Sequence, residues 1–352
     1  MTAMKKKILL LLLLMMAVMT AGCGNQGKIE KVVLTTGFEK DEVFRVEDIS
    51  CTLPEIMLLL TNTRNQYEAI YGDEIWEKDF NGTTLEENIK ETVLAQISQI
   101  KIMNLLARQN GITLDEEETG KVAQAAQAYY ETLNETEIRE MNVTCERIEA
   151  LYGEYALAEK IYKDIIKDIN PEISDDEART ITVQHILFKT YEMDGTGQKI
   201  DYSEDRKAKV LQEAKEVLKM AKEEGSDFEQ LVLEYSEGEK GTVSFGKGEM
   251  ESAFEETGFN LETGEISEII ETSYGYHIIK CINTFNREET DANKIKIVEK
   301  RREEVFGQEY EVFADTLTKK LNDDLWEEVS FPEGEEITTT DFFEIYHKYM
   351  GE

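Results

Sequence analysis

The spacing of apolar residues changes twice along this chain. These changes indicate where one structural region ends and the next begins. From residue 32 to 171 apolar side chains recur every three or four residues, the period of a helix that buries one face. Between residues 172 and 285, short alternating runs typical of strands stand between helical stretches. The helical period then returns at residues 286–330. Only 3 of the 352 residues are proline, so long helices can run uninterrupted.

This order predicts an α+β protein in which a small α/β domain is inserted into a helical one. The helical block takes residues 32–171 and the inserted domain takes residues 172–285. We expect the C-terminal helix at residues 286–330 to return and pack on the helical block. The remaining residues, 331–352, are rich in acid and predict a loosely held tail.

Local signals place several elements within these parts. Thr52 and Glu55 have the spacing of a capping box, with a proline in the first turn, and predict a helix start. Residues 43–50 and 182–188 alternate as strands do. A long helix is expected at residues 203–224 and a shorter one around Phe228.

The first 23 residues have the pattern of an export signal. Three lysines at residues 5–7 precede an apolar run at residues 8–19, and small residues lead to Cys23. The run is shorter than the ~20 apolar residues that cross a bilayer, so a membrane span is the weaker interpretation. Small residues before a cysteine resemble the lipobox of bacterial lipoproteins, which implies a signal at 1–22, lipidated Cys23 and a tether at 23–31. An ordinary secretory signal with a chance cysteine is the alternative.

Charge and cysteine content exclude other classes. The chain has 74 acidic and 39 basic side chains, a formal net charge of −35, whereas nucleic-acid binding needs clustered Lys and Arg. None of the CxxC or HExxH spacings that signal zinc is present among the 4 cysteines and 3 histidines. We therefore expect no nucleic-acid partner and no metal or other cofactor.

Two of the 3 histidines, His185 and His277, lie inside strand patterns of the α/β domain. A lone histidine in a strand is usually a satisfied core residue. Two of them in short strands of one small domain, each followed by paired aliphatic residues, form a narrower pattern. Metal ligation by this pair is a poor alternative, because no third ligand is suggested.

At this point residues 181–283 resemble the parvulin-type peptidyl-prolyl isomerases. The resemblance rests on ordered pieces: TVQHILF at 182–188, FEQL at 228–231, YS at 235–236, FGKGEM at 245–250, Phe254, Phe259, TGEIS at 263–267 and YGYHII at 274–279. Each piece alone is weak, but their order and spacing together are specific.

The resemblance implies a fold, a reaction and a set of site residues. Unaided rotation about an X-Pro bond meets a barrier of ~18–20 kcal/mol, and a parvulin-like site would favour the twisted amide. His185 and His277 match the paired histidines of the site. The residues that would hold the substrate's proline and its surroundings are Met250, Phe254, Phe245 and Tyr274.

One loop departs from the family pattern. Parvulins usually carry Asp or Cys shortly after the Tyr-Ser pair, whereas Gly238 stands there in this chain and the loop is shorter by several residues. We take Glu237 as the candidate acid that replaces it, with Glu239 in the same loop as the alternative. The departure keeps open an alternative in which the domain has lost catalysis and the protein only binds clients.

The whole layout resembles the PrsA-like foldase lipoproteins of Gram-positive bacteria, and in part the SurA-like chaperones. This resemblance implies a lipid-anchored foldase at the outer face of the cytoplasmic membrane. Its partners would be unfolded or partly folded secreted polypeptides with X-Pro bonds, and the membrane through the N-terminal lipid. A homodimer is a further possibility.

The export signal gives a first test. Changing Cys23→Ala removes the only sulfur at the expected lipidation point, so the protein should leave the membrane fraction or keep its signal uncleaved. Cell fractionation with intact-mass measurement checks both outcomes. A cleaved Cys23→Ala protein that stays with the membrane would show that the anchor lies elsewhere.

Overall fold

The computed structural model describes residues 37–77, 79–80, 82–195, 198–332 and 334–351. The predicted signal, Cys23 and the tether lie outside these residues. The chain divides into two compact units, one of Met1–Asp168 with Glu304–Glu352 and one of Ile169–Glu303. Within the described residues, no helix combines the length and apolar character needed to cross a membrane.

The first unit is mainly helical. Its elements are β1 (Glu42–Val46), β2 (Ile49–Thr52), α1 (Leu53–Tyr71), a 3-10 helix (Asp73–Glu77), β3 (Asp79–Phe80), β4 (Thr83–Thr84), α2 (Leu85–Gln109), α3 (Glu116–Tyr130), α4 (Glu135–Met141) and α5 (Cys145–Ile166). The later part of α10 (Arg287–Ala314), then β11 (Lys319–Leu321), α11 (Asp323–Glu328) and α12 (Phe342–Met350) complete it.

Local chemistry accounts for the helix starts. The capping box of Thr52 and Glu55 is confirmed, and α2, α3 and α4 begin with the same reciprocal arrangement. Each box satisfies backbone N–H groups that have no partner inside the helix. The aliphatic and aromatic faces of these helices then form one continuous core.

The C-terminal return is confirmed, but its form differs from the expected single helix. Helix α10 ends at Ala314, and residues 319–321 form β11, which pairs antiparallel with β1 through Phe44 and Leu321. The predicted strand at residues 43–50 is itself a hairpin of β1 and β2. The hairpin leaves the backbone groups on one edge of β1 without partners. Residues 319–321 satisfy these groups as a strand, which a continued helix could not do.

The expectation of a loosely held tail is wrong. Residues 342–350 form α12, in which Phe342 and Tyr346 are buried in the core of the first unit. The expectation rested on acidic composition and did not consider amphipathic patterning. The aromatic residues of this short helix lie on one face, which packs against the core.

The second unit is the α/β part, with two sheets and several helices. Its elements are α6 (Asp175–Ala178), β5 (Ile181–Lys189), β6 (Tyr191–Met193), β7 (Lys199–Asp201), α7 (Glu204–Ala221), α8 (Phe228–Tyr235), β8 (Thr242–Phe245), α9 (Ser252–Asn260), β9 (Ile270–Thr272), β10 (Gly275–Asn283) and the first part of α10. The predicted α+β class, with an α/β unit inserted into a helical one, is therefore confirmed.

Four antiparallel strands in the order β8-β5-β10-β9 form the main sheet of this unit. One face, with Ile186 and Ile278, packs on the apolar sides of α7 and α8. The other face carries a smaller core that includes Phe245 and Phe254. Because side chains alternate along each strand, the two histidines fall on this second face.

Candidate functional site

The pairing of β5 with β10 brings His185 and His277 together. His185 lies opposite Ile279 and His277 lies opposite Leu187, so the histidines are diagonal neighbours on one face of the sheet. Their ring centroids are 5.4 Å apart, and the two Nδ1 atoms lie 3.3 Å from each other. The structure thus brings the two predicted histidines into direct contact.

Both rings are shielded from water, and this changes their titration. His277 is 5 % exposed, and burial lowers its pKa to about 4, helped by the neighbouring His185 ring. Burial also lowers the pKa of His185 below its ordinary value. The pair is therefore neutral at physiological pH, since each charged form would lose its hydration.

Hydrogen bonds link the neutral pair to the turn between β9 and β10. The two Nδ1 atoms are within hydrogen-bond distance, so one ring donates and the other accepts. Nε2 of His277 shares a hydrogen bond with the hydroxyl of Thr272, 2.8 Å away. The backbone N–H of Tyr274 donates to the same hydroxyl oxygen at 3.1 Å.

Phe254 covers this chain of hydrogen bonds. Its ring stands edge-on to both His185 and His277, with centroid distances of 5.2 Å to each. Phe245 lies behind it, 1 % exposed, and contacts Phe254 and Phe259. Phe254 and Phe245 are two of the four predicted substrate residues. Phe254 contacts the histidines directly, and Phe245 supports Phe254 from the core.

Two predicted substrate residues lie at the surface of the same region. Met250 is 36 % exposed just before α9, and Tyr274 is 54 % exposed in the turn between β9 and β10. Glu251 joins the two segments, because its carboxylate accepts hydrogen bonds from the hydroxyl and the backbone N–H of Ser273. These bonds lower the pKa of Glu251 and keep the carboxylate charged.

The shortened loop places its residues against β5. The carboxylate of Glu237 accepts a hydrogen bond of 2.6 Å from the backbone N–H of Lys189, and the Ser236 hydroxyl accepts one from Leu187. A Cβ atom at Gly238 would lie 3.7 Å from Cε1 of His185, an ordinary contact. Gly238 thus lies beside the histidine pair, while the Glu237 carboxylate is engaged with the strand backbone.

Sequence reasoning missed Thr272, Glu251 and Ser273. Their roles come from contacts between segments that lie far apart along the chain, which strand and helix patterns do not report. One local signal was available at Gly275, which follows this turn with φ +137° and has the Phe188 carbonyl 2.1 Å from the place of a Cβ. Only glycine lets β10 approach β5 this closely.

Comparison with known proteins agrees with this geometry. Residues 185–283 match the rotamase family, described as the PPIC-type PPIase domain. The chain is a PrsA-like protein with a parvulin-type rotamase domain. This domain places it among the peptidyl-prolyl cis-trans isomerases. The described residues contain no group of three or more His, Cys, Asp or Glu side chains suited to a metal ion.

Relatives extend the likeness beyond the rotamase domain. Foldase protein PrsA of Caldanaerobacter subterraneus is 28 % identical over 250 residues, which cover 68 % of this chain and 72 % of the relative. Foldase protein PrsA of Staphylococcus aureus (strain Newman) is 29 % identical over 155 residues, 42 % of this chain and 45 % of the relative. A crystal structure of PrsA from Bacillus cereus covers 74 % of this chain and 91 % of its own, at 21 % identity and a TM-score of 0.35.

The neutral histidine pair predicts a loss of stability in mild acid. An unfolded histidine binds its proton near pH 6.5, whereas His277 in the folded unit does so only near pH 4. Between these values the unfolded state binds more protons, so the free energy of unfolding falls as pH falls. We expect the second unit to lose about 2 kcal/mol between pH 7 and pH 5. Hydrogen exchange of β5 and β10 amides in the full chain measures it.

The matched variant is His277→Asn, which removes the titrating ring. Its second unit should show a much weaker dependence of stability on pH over the same range. Imidazole NMR of the unaltered chain gives an independent reading, in which the His277 ring should titrate only near pH 4. A wild-type unit that is equally stable at pH 5 and pH 7 would contradict the neutral-pair assignment.

Proposed function

We propose that this protein is a foldase that isomerises X-Pro bonds and binds unfolded secreted polypeptides as a chaperone. The observation that carries the proposal is the buried, neutral His185–His277 pair under the edge of Phe254, in a domain that matches the rotamase family. In this proposal His185 and His277 act in catalysis, and Met250, Phe254, Phe245 and Tyr274 form the proline slot, with Phe245 acting through Phe254.

The reaction breaks no covalent bond, so the site needs only to favour a twisted amide over a planar one. A prolyl ring held against Met250 and Phe254 would fix one side of the bond while the other side turns. The hydrogen bonds that join Tyr274, Thr272 and the histidine pair would supply a fixed dipole field in a site shielded from water. Because both rings stay neutral, this field would not change with pH above 7.

The place of action is proposed from sequence signals and relatives. The basic, apolar and small-residue run that ends at Cys23 supports export and lipid anchoring at the outer face of the cytoplasmic membrane. Relatives named foldase protein PrsA support a folding role for the whole chain, with unfolded secreted polypeptides as partners. The homodimer stays a prediction.

The second candidate is a client-binding chaperone whose rotamase domain has lost activity. The observation that favours it is the loop after Ser236, where Gly238 carries no acid or thiol beside His185 and Glu237 bonds to the strand backbone. A protease-coupled assay with an X-Pro peptide separates the two. A folded protein without activity above background that still suppresses aggregation of an unfolded client would leave only this second function.

Met250 gives the cleanest test of the proline slot, because it is exposed at the site and its loss leaves the core intact. Met250→Ala removes apolar contact worth roughly 1–3 kcal/mol if the substrate buries that side chain. We expect kcat/KM for an X-Pro peptide to fall by about ten-fold or more, since 1.36 kcal/mol is ten-fold in rate.

Met220 is the matched control for this variant. It is 38 % exposed, almost the same as Met250, and lies on α7 in the same unit. Met220→Ala should keep wild-type kcat/KM. Equal losses in the two variants, or no loss at Met250→Ala in an active enzyme, would place the prolyl ring elsewhere.

Glu237 is tested by Glu237→Gln, which keeps an acceptor for the Lys189 N–H and removes the charge. If the carboxylate replaces the usual acid, kcat should fall by about ten-fold or more while the melting temperature stays unchanged. Glu239→Gln, on an exposed neighbour in the same loop, tests the alternative acid in the same assay. An unchanged kcat in Glu237→Gln would show that Glu237 has only a structural role, as a hydrogen-bond acceptor for the backbone of β5.

A further inference from the structure

The C-terminal segment of residues 334–350, here called the strap, is bound by the first unit through the strap's own backbone as well as through buried aromatic side chains. Residues 334–341 contain no strand or helix, and α12 follows them. An irregular segment without ladder hydrogen bonds must find partners for its N–H and C=O groups elsewhere. In the strap, side chains of the surrounding helices supply these partners.

The contacts between helix side chains and strap backbone are numerous and short. Glu137 accepts from the N–H groups of Thr338 and Thr339 at 2.8 Å each. Asn65 donates to the Thr339 carbonyl at 2.9 Å, and Gln66 donates to the Thr340 carbonyl at 2.7 Å. The backbone of the strap is thus held on both its donor and its acceptor sides.

The same pattern continues at the start of α12. The N–H of Phe342 donates to Oδ1 of Asn62 at 3.2 Å, and the Tyr152 hydroxyl donates to the Phe342 carbonyl at 2.6 Å. Two side-chain contacts add to these bonds, between the hydroxyls of Tyr129 and Thr339 at 2.9 Å and from the Thr136 hydroxyl to the Glu336 carboxylate at 2.7 Å.

The groove that receives the strap is polar although it is buried. Side chains of α1, α3, α4 and α5 line it, and five of them are almost fully shielded from water: Asn62, Asn65, Tyr129, Glu137 and Tyr152. Burying such groups without partners costs about 1–3 kcal/mol each. Their polar atoms are therefore matched to a peptide backbone that occupies the groove.

Beside this polar track lies an aromatic pocket that holds the side chains of Phe342 and Tyr346. The ring of Phe342 contacts Tyr152 with a centroid distance of 4.5 Å and Tyr129 at 5.2 Å, and Tyr155 lies 6.4 Å away. Phe342 itself is completely buried. The groove thus binds an extended backbone and, three residues after Thr339, the aromatic side chain of Phe342, with Tyr346 packed beside it on α12.

We propose that this groove is a peptide-binding site that the strap occupies in the free protein, and that unfolded client segments displace the strap. The preferred client segment is extended and carries an aromatic residue three positions after the residue that takes the place of Thr339. The inference rests on the proposed chaperone function and names the client chemistry for it. Backbone bonds make the groove tolerant of client sequence, whereas the pocket requires an aromatic anchor.

A covalently attached occupant also sets the affinity for clients. Only the fraction of molecules with an open strap can bind, so the measured Kd equals the intrinsic Kd divided by that fraction. Any change that weakens the strap without touching the groove should therefore tighten client binding. The prediction is the opposite of what a purely structural segment would give.

Hydrogen exchange on the full wild-type chain tests the proposal directly. The amides of Thr338, Thr339 and Phe342 should exchange faster than amides inside α2, because the strap opens without global unfolding. Saturating reduced and alkylated α-lactalbumin, a permanently unfolded probe, should speed these three amides by about ten-fold. Strap amides that exchange only together with α2, or that ignore a bound client, would overturn the proposal.

Phe342→Ala provides the second test, since it removes the Phe342 ring from the aromatic pocket and keeps the groove side chains. A labelled peptide of residues 334–350, added in trans, should bind this full-length variant at least about ten-fold more tightly than wild type. Glu344→Gln, exposed on the same helix, is the control and should bind as wild type does. Failure of the peptide to bind folded Phe342→Ala would overturn the proposal.

Two further measurements separate this inference from the function on which it rests. X-Pro isomerase activity and aggregation suppression are measured on the same samples. Normal values of both, with strap exchange unaffected by the client, would reject the groove and leave the foldase. A wild-type chain that does not suppress aggregation of the client would reject both proposals together.

Discussion

The antiparallel register between β5 and β10 is the constraint on which the candidate site depends. It places His185 and His277 on one face as diagonal neighbours, and it leaves Ile186 and Ile278 for the opposite core. A slip of either strand by one residue would turn its histidine into that apolar core and move its aliphatic residues to the opposite face. Glycine at position 275 protects the register, because only a residue without a Cβ can lie against the Phe188 carbonyl.

Once the register is fixed, burial determines the protonation state of the site. Desolvation lowers the pKa of both histidines, and a neutral ring can act as donor on one nitrogen and acceptor on the other. The Thr272 hydroxyl, which also accepts from the backbone N–H of Tyr274, ties the His277 ring to the turn between β9 and β10. The site is polar and dry, although it holds no net charge on its rings.

Sequence predicts what local physics determines and fails where partners are remote. Capping at Thr52, the short helix from Phe228 and the two histidine strands follow from spacing over a few residues, and the structure contains all of them. The Thr272 hydroxyl, the Glu251–Ser273 link and the pairing of β11 with β1 depend on segments that meet only after folding. The packing of the strap was not predicted for the same reason. Its acidic residues lie on its exposed side, whereas Phe342 lies on its buried side.

The chemistry of the strap differs from ordinary core packing in a way that bears on release. An apolar strap would be held by burial alone, and any greasy surface could replace it. Here Glu137, Asn62 and Tyr152 bond to backbone atoms, and each would be left buried without those partners if the strap departed. The penalty for an unmade buried hydrogen bond exceeds the net gain of about 1 kcal/mol from making one. Water that enters the groove, or another peptide backbone, can satisfy these groups, and of the two only a peptide also fills the aromatic pocket. The competitor that best displaces the strap is therefore another extended chain with an aromatic anchor.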